Sequence, residues 1–270
     1  MKWLLSLALL VLSTLAVASC PQSKFTDPTR VNITGDSLMI VTHPTAKYDF
    51  RLSSKRGVEE AVQFARSRHI ALIYLADKSD AAAEHYFIDD CRPDYWVYSE
   101  DGEVPFDVHA THLYVVGGHL EVCLSNTLLD VLQKWAKQPR QNRTVTYFMD
   151  GIYSNGKDIE ESDPYYKDYV GFMNVVTYGR PRGEQWPKLT LLETMGLIVS
   201  PGRQYDYLQR TLPFYQKLFP ADYRVEVYLN DSAIKVLQAG RGARPSVLRF
   251  KFIDSAVAMA PQAQPVSSGD

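Results

Sequence analysis

The stretch that decides the fold is "THLYVVGGHLEVCLSNTLLDVL", residues 111–132. Its first half is a continuous apolar run that ends in a glycine pair, Gly117 and Gly118. Strands buried on both faces of a parallel sheet read this way. Its second half sets Val122, Leu128, Leu129 and Leu132, and then Trp135, at helical spacing until Pro139 stops the pattern. A strand that passes through glycines into a helix is half of a βαβ unit. In α/β sheets ligands bind where strands end and helices begin, and Cys123 falls there. A helix N-terminus favours thiolate over thiol. The spacing leaves Cys123 three roles: a nucleophile, half of a disulfide with Cys91, or a buried thiol packed as a small hydrophobe.

Working outward, "SLMIVTHP" (37–44) is an apolar strand stopped by Pro44. In 53–69, Val58, Ala61, Val62 and Ala65 recur at helical spacing, with Ser53 or Ser54 as N-cap. "IALIYLAD" (70–77) is a second buried strand, which completes strand–helix–strand. "DYWVYSEDGE" (94–103) reads as a strand closed by an Asp-Gly turn, and "RTVTYFMDG" (143–151) as the strand after the cysteine helix. Alternating strands and helices predict a mostly parallel sheet with helices on both faces. A short helix is expected at 79–86 and three more at 163–176, 189–198 and 203–218. The segments 223–231, 233–238 and 246–254 read as strands around a glycine-rich turn. They would form either an antiparallel appendage or edge strands of the main sheet.

The N-terminus carries an address. Lys2, the apolar run Trp3–Leu12 and the small residues after it form an export signal over 1–19. "VASC" (17–20) resembles the lipobox of bacterial lipoproteins. That resemblance implies a lipid on Cys20, a membrane anchor, and residence in the bacterial cell envelope on the periplasmic side or the cell surface. The polar residues 20–35 are expected to be a tether, 36–155 the α/β core, 156–255 a helical and β extension, and 256–270 a disordered tail. In a bacterial protein the glycosylation-like triplets at Asn32, Asn142 and Asn230 are chance matches. The formal net charge is −2, so no basic field would draw the chain to nucleic acid.

Other clusters carry less. "DVHATH" (107–112) brings Asp107, His109 and His112 together, with His119 downstream. Rings three apart on a strand face opposite ways, which does not suit a shared metal. Asp89, Asp90 and Asp94 suit turns and caps better than paired catalysis. Arg241 and Arg244 sit in a glycine-rich turn without the lysine and hydroxyl of a phosphate loop. The tyrosines of 163–169 and 203–210 suit helix packing. No metal or cofactor is expected.

Gly117, Cys123, Thr127 and Asp130 together resemble the cysteine-bearing segment of isochorismatase-like hydrolases, the superfamily that includes nicotinamidases and N-carbamoyl amidohydrolases. The likeness runs over 36–155. It implies a Rossmann-like three-layer core; the C-terminal α+β extension with antiparallel strands is read from the pattern of 156–255 and has no counterpart in the likeness. The likeness also implies a cysteine hydrolase of C–N or vinyl-ether bonds, and a cis peptide near Gly118 and His119 that helps build an oxyanion hole. The family's mechanism needs an aspartate at the end of the first strand and a lysine after the third. Here Thr42 stands at the first place, beside His43, and Glu100 or Asp101 near the second. His43 or His119 would have to take the thiol proton instead. Three readings follow: a degenerate domain that binds a small molecule or a protein partner, an active amidase-type hydrolase with a rearranged base, or a purely structural envelope component.

Overall fold

The computed structural model describes residues 25–49, 52, 54–78, 86, 88, 92–119, 123–153, 223–238 and 245–259. Among them eight strands build one sheet: β1 (Ser37–Thr42), β2 (Ala71–Ala76), β3 (Tyr95–Tyr98), β4 (His112–Gly117), β5 (Arg143–Ile152), β6 (Arg224–Leu229), β7 (Ser232–Gln238) and β8 (Val247–Ile253). The order across the sheet is β3-β2-β1-β4-β5-β8-β6-β7. All neighbours run parallel except β6 and β7.

Strand alternation divides the core between two faces. Met39, Val41, Leu72, Tyr74, Tyr114 and Val116 pack against α1 (Lys55–Ser67). Leu38, Ile40, Ile73, Leu75, Leu113 and Val115 pack against Leu128, Val131, Leu132 and Trp135 of α2 (Cys123–Ala136). This is the three-layer α/β arrangement that the sequence predicts. Gly57 lets α1 approach closely: a Cβ there would stand 2.2 Å from the Asp150 carbonyl carbon and 2.3 Å from Gly151 N. Gly57→Ala should therefore lift the helix from β5 and cost about 1–3 kcal/mol. A urea midpoint equal to that of the parent would contradict this.

Of the two arrangements expected for the C-terminal strands, the structure shows the second: they extend the main sheet past β5 and form no separate antiparallel unit. β8 inserts between β5 and β6 as an interior parallel strand, and only β7 runs antiparallel. The reason is burial: Leu248, Phe250 and Phe252 enter the α2-side core, and Ile253 enters the other. The crossover from β3 to β4 contains no helix and runs extended. Val104, Phe106, Val108 and Ala110 are buried and alternate with exposed Glu103, Pro105, Asp107 and His109.

An extended segment with no strand neighbour leaves backbone groups to be satisfied. α2 supplies the partners. Asn126 Nδ2 donates to Asp101 O (2.8 Å), Thr127 Oγ1 to Gly102 O (2.7 Å) and Trp135 Nε1 to Ala110 O (3.0 Å). Asp130 Oδ2 accepts from Val104 N at 2.9 Å. Past the helix end, Gln138 Nε2 donates to Val108 O (2.8 Å), and buried Arg143 donates to Ala110 O (3.1 Å).

The described part of the expected tether, from Phe25 onward, is docked on the domain. Thr26 N bonds to Trp96 O at 2.6 Å, Phe25 packs edge-on against Tyr98, Tyr95 Oη donates to Asn32 O, and Ile33 joins the core. No helix among the described residues is long and apolar enough to cross a membrane. Of the helix expected at 79–86 only Tyr86 is described, in an isolated antiparallel bridge with Thr45; the leader with Cys20, residues Asp89, Asp90 and Cys91, the helices expected at 163–176, 189–198 and 203–218 with their tyrosines, and Arg241 and Arg244 lie outside the described residues.

Candidate functional site

The site lies at the C-terminal ends of β1 and β4, where α2 begins. Gly117 takes φ +93°, and a Cβ on it would meet Thr42 O at 2.0 Å. Only glycine allows β4 to close so tightly on β1. Gly118 N then donates to Thr42 O (3.0 Å), and Tyr153 N to Gly117 O (3.2 Å). The Gly118–His119 peptide is cis, where the resemblance implies such a bond. Across the gap Gly102, at φ +85°, lies with its Cα turned onto the backbone of Cys123.

Cys123 is a buried, free thiol at the first residue of α2. It therefore makes no bridge to Cys91. Among the described residues no hydrogen bond or ion pair reaches its Sγ. The nearby helix N-terminus is partly used, because Leu124 N donates to His119 O at 2.9 Å.

Thr42 is fully buried, and its hydroxyl lies 3.2 Å from that of Thr127. Thr127 has one proton, which is directed to Gly102 O or to Cys123 O (2.9 Å). Thr42 is therefore the donor in the threonine pair. Thr127 and Asp130, two residues of the cysteine-segment pattern, thus clamp the loop that follows β3.

The loop facing this point is acidic. Ser99 Oγ and Asp101 N both donate to Glu103 Oε2. The Asp101 carboxyl is pushed above its ordinary range, chiefly by burial and then by Glu103 and Glu100, while His43 opposes the shift. A thiolate would find like charges here rather than a cation.

The histidines form an aromatic cluster instead. Buried His43, at φ +46°, receives Tyr153 Oη on its carbonyl at 2.6 Å. The Tyr48 ring stands edge-on to both His43 (5.4 Å) and His119 (5.6 Å), and His119 is edge-on to Tyr153 (5.0 Å). His119 is 6% exposed, and its Nδ1 has no hydrogen-bond partner among the described residues. Burial, and then the nearby His43, lower its pKa to about 4. Tyr48 Oη donates to Asp77 Oδ2 at 2.8 Å, and Lys47 Nζ lies 3.4 Å from the same oxygen. Asp49, 1% exposed, accepts from Ser54 N and Ser54 Oγ at the start of α1.

Tyr48, Asp49, Asp77 and Tyr153 were not singled out from the sequence. Their one available signal was position, just past the ends of β1, β2 and β5. His112 lies elsewhere: half-buried on β4, it meets Thr146 Oγ1 at 2.9 Å and stacks on Tyr114. Burial lowers its pKa to about 4 as well. Asp94 holds the start of β2 through Leu72 N (2.7 Å) and pairs with Arg66 (3.3 Å). No group of three potential ligands able to hold a metal occurs among the described residues.

His112 and His119 set an acid limit on the fold. Their folded pKa values lie below the unfolded value of 6.5, so the unfolded chain binds protons first as pH falls. Stability is complete above pH 6.5 and declines toward pH 4, by up to about 3 kcal/mol for each histidine. Denaturant midpoints measured across this range should fall, and His119→Gln should flatten the fall. A flat profile in the parent would contradict the burial of both rings.

No protein-family model and no curated relative matches the chain. Among solved structures it is similar to N-carbamoylsarcosine amidase from Thermoplasma acidophilum. The identity is 15%, with 54% of this chain and 99% of that one covered, at a TM-score of 0.35. It is also similar to YcaC from Pseudomonas aeruginosa, solved with hexane-2,5-diol and a covalent acrylamide. Here the identity is 12%, with 72% of this chain and 97% of that one covered, at a TM-score of 0.33.

Proposed function

We propose that this protein is a lipid-anchored component of the bacterial cell envelope. Its core is an isochorismatase-hydrolase-like domain that binds a small molecule or a protein partner without hydrolysing it through Cys123. One observation carries the non-catalytic reading. Thr42 stands at the place of the base carboxylate, and its neutral hydroxyl, buried and engaged with that of Thr127 at 3.2 Å, is too weak a base to take a thiol proton. The acidic loop Glu100–Glu103 adds the wrong sign of charge for holding a thiolate. In the alternative reading, an active amidase-type hydrolase, His43 or His119 would have to take the thiol proton, and neither bonds to Sγ.

Two measurements test the proposal. Radiolabelled palmitate should enter the full-length chain in cells and be absent from the Cys20→Ala variant; equal labelling of both rejects the anchor. Any C–N hydrolysis by the purified domain should be unchanged in Cys123→Ser. A loss of about a thousandfold or more would restore the hydrolase reading.

A further inference from the structure

We propose that the candidate-site end of the sheet faces the phospholipid surface that holds Cys20, at the corner formed by Phe25, Tyr98 and Lys78. The inference rests on the lipid reading of Cys20 given above.

The path of the chain carries it. Phe25 packs against Tyr98 at the C-terminal end of β3, and Thr26 N bonds to Trp96 O. From there the chain descends to Asn32, held by Tyr95 at the other end of β3, and enters β1 at Ser37. The domain therefore leaves its anchor from the same end of the sheet as Gly117, Gly118 and Cys123. Five residue steps separate Cys20 from Phe25, a reach of about 18 Å at full extension. A six-residue strand alone is about 20 Å deep. At the opposite end Asn32, Thr34, Arg66, His69 and Tyr95 line a cleft of about 630 Å³, which the chain meets only after it has passed Phe25.

The surface chemistry suits an interfacial contact. Among the described residues the exposed large apolar side chains are Leu52 (42%), Tyr98 (38%) and Val257 (57%). Leu52 follows β1 and Tyr98 ends β3, so both belong to the candidate-site end. Lys78 Nζ lies over the Tyr98 ring at 5.5 Å, and Lys47 Nζ over Tyr48 at 4.6 Å. Tyrosine rings with lysine stems are the pairing favoured at headgroup depth. Glu100, Asp101 and Glu103 at the same end oppose attraction by anionic lipid, so the tether and the apolar contact hold the face in place. A ligand entering the site would then come from the membrane side.

The test uses the full chain, made with its leader and reconstituted into vesicles of phosphatidylethanolamine and phosphatidylglycerol with a headgroup acceptor dye. Donor dyes are placed at Glu100→Cys or at Thr34→Cys, each in a Cys91→Ser background. Energy transfer should be several-fold stronger from position 100 than from position 34. Equal or stronger transfer from 34, in protein that carries palmitate and floats with the vesicles, overturns the orientation alone. Equal flotation of the Cys20→Ala variant overturns the anchor and the orientation with it.

Discussion

Gly117→Ala is expected to lose about 3–5 kcal/mol of stability, which lowers Tm by about 10 °C or prevents soluble expression. Two costs combine. Alanine at φ +93° is strained by about 1–2 kcal/mol, and its methyl would stand 2.0 Å from Thr42 O. The oxygen cannot yield freely, because it accepts Gly118 N where β4 leaves the sheet. Relief would have to separate β1 from β4 at the centre of the sheet, and typical domains hold only about 5–15 kcal/mol in total. A Tm within about 2 °C of the parent would show that the two strands do not close in this way.

Thr42→Asp, which restores the residue type expected of a hydrolase, should destabilise the domain by about 2–4 kcal/mol at neutral pH without creating activity. The side chain is fully buried, and its neighbour Thr127 already commits its proton to Gly102 O or Cys123 O. A carboxylate there would face the acidic loop of Glu100, Asp101 and Glu103. Burial raises the folded pKa of such an aspartate above its unfolded value near 3.9. Its neutral form is then tolerated and its charged form is not. The penalty should be small at pH 4–5 and grow as pH rises toward the folded pKa. Urea midpoints at pH 5 and pH 8 measure this; a smaller penalty at pH 8 would contradict it.

Much of the fold was legible because apolar runs encode burial locally. The runs at 37–42, 71–76 and 112–117 became the central strands, and the spacing of Val58, Ala61, Val62 and Ala65 became the buried stripe of α1. The glycine pair and Cys123 also fell at a strand end and a helix start, as read. What could not be read depends on contacts distant in sequence. Val104, Phe106, Val108 and Ala110 alternate as a strand would, but their backbone partners are side chains of α2. The place of β8 beside β5 depends on which core its phenylalanines fill. Ser53 or Ser54 was expected as the N-cap of α1, and Ser54 holds that position. Its hydroxyl proton goes to Asp49. The cluster of Tyr48, His43, His119 and Tyr153 joins the ends of three strands, so no local pattern announces it.

The most direct measurement is the alkylation rate of Cys123, read by mass spectrometry of its peptide after iodoacetamide treatment at neutral pH. A buried thiol with no base beside it should react at least about a hundredfold more slowly in the native protein than in guanidinium chloride, because local opening must come first. Native alkylation as fast as in the unfolded chain, or faster, would mark an accessible and activated nucleophile, and the site would then be a working hydrolase centre.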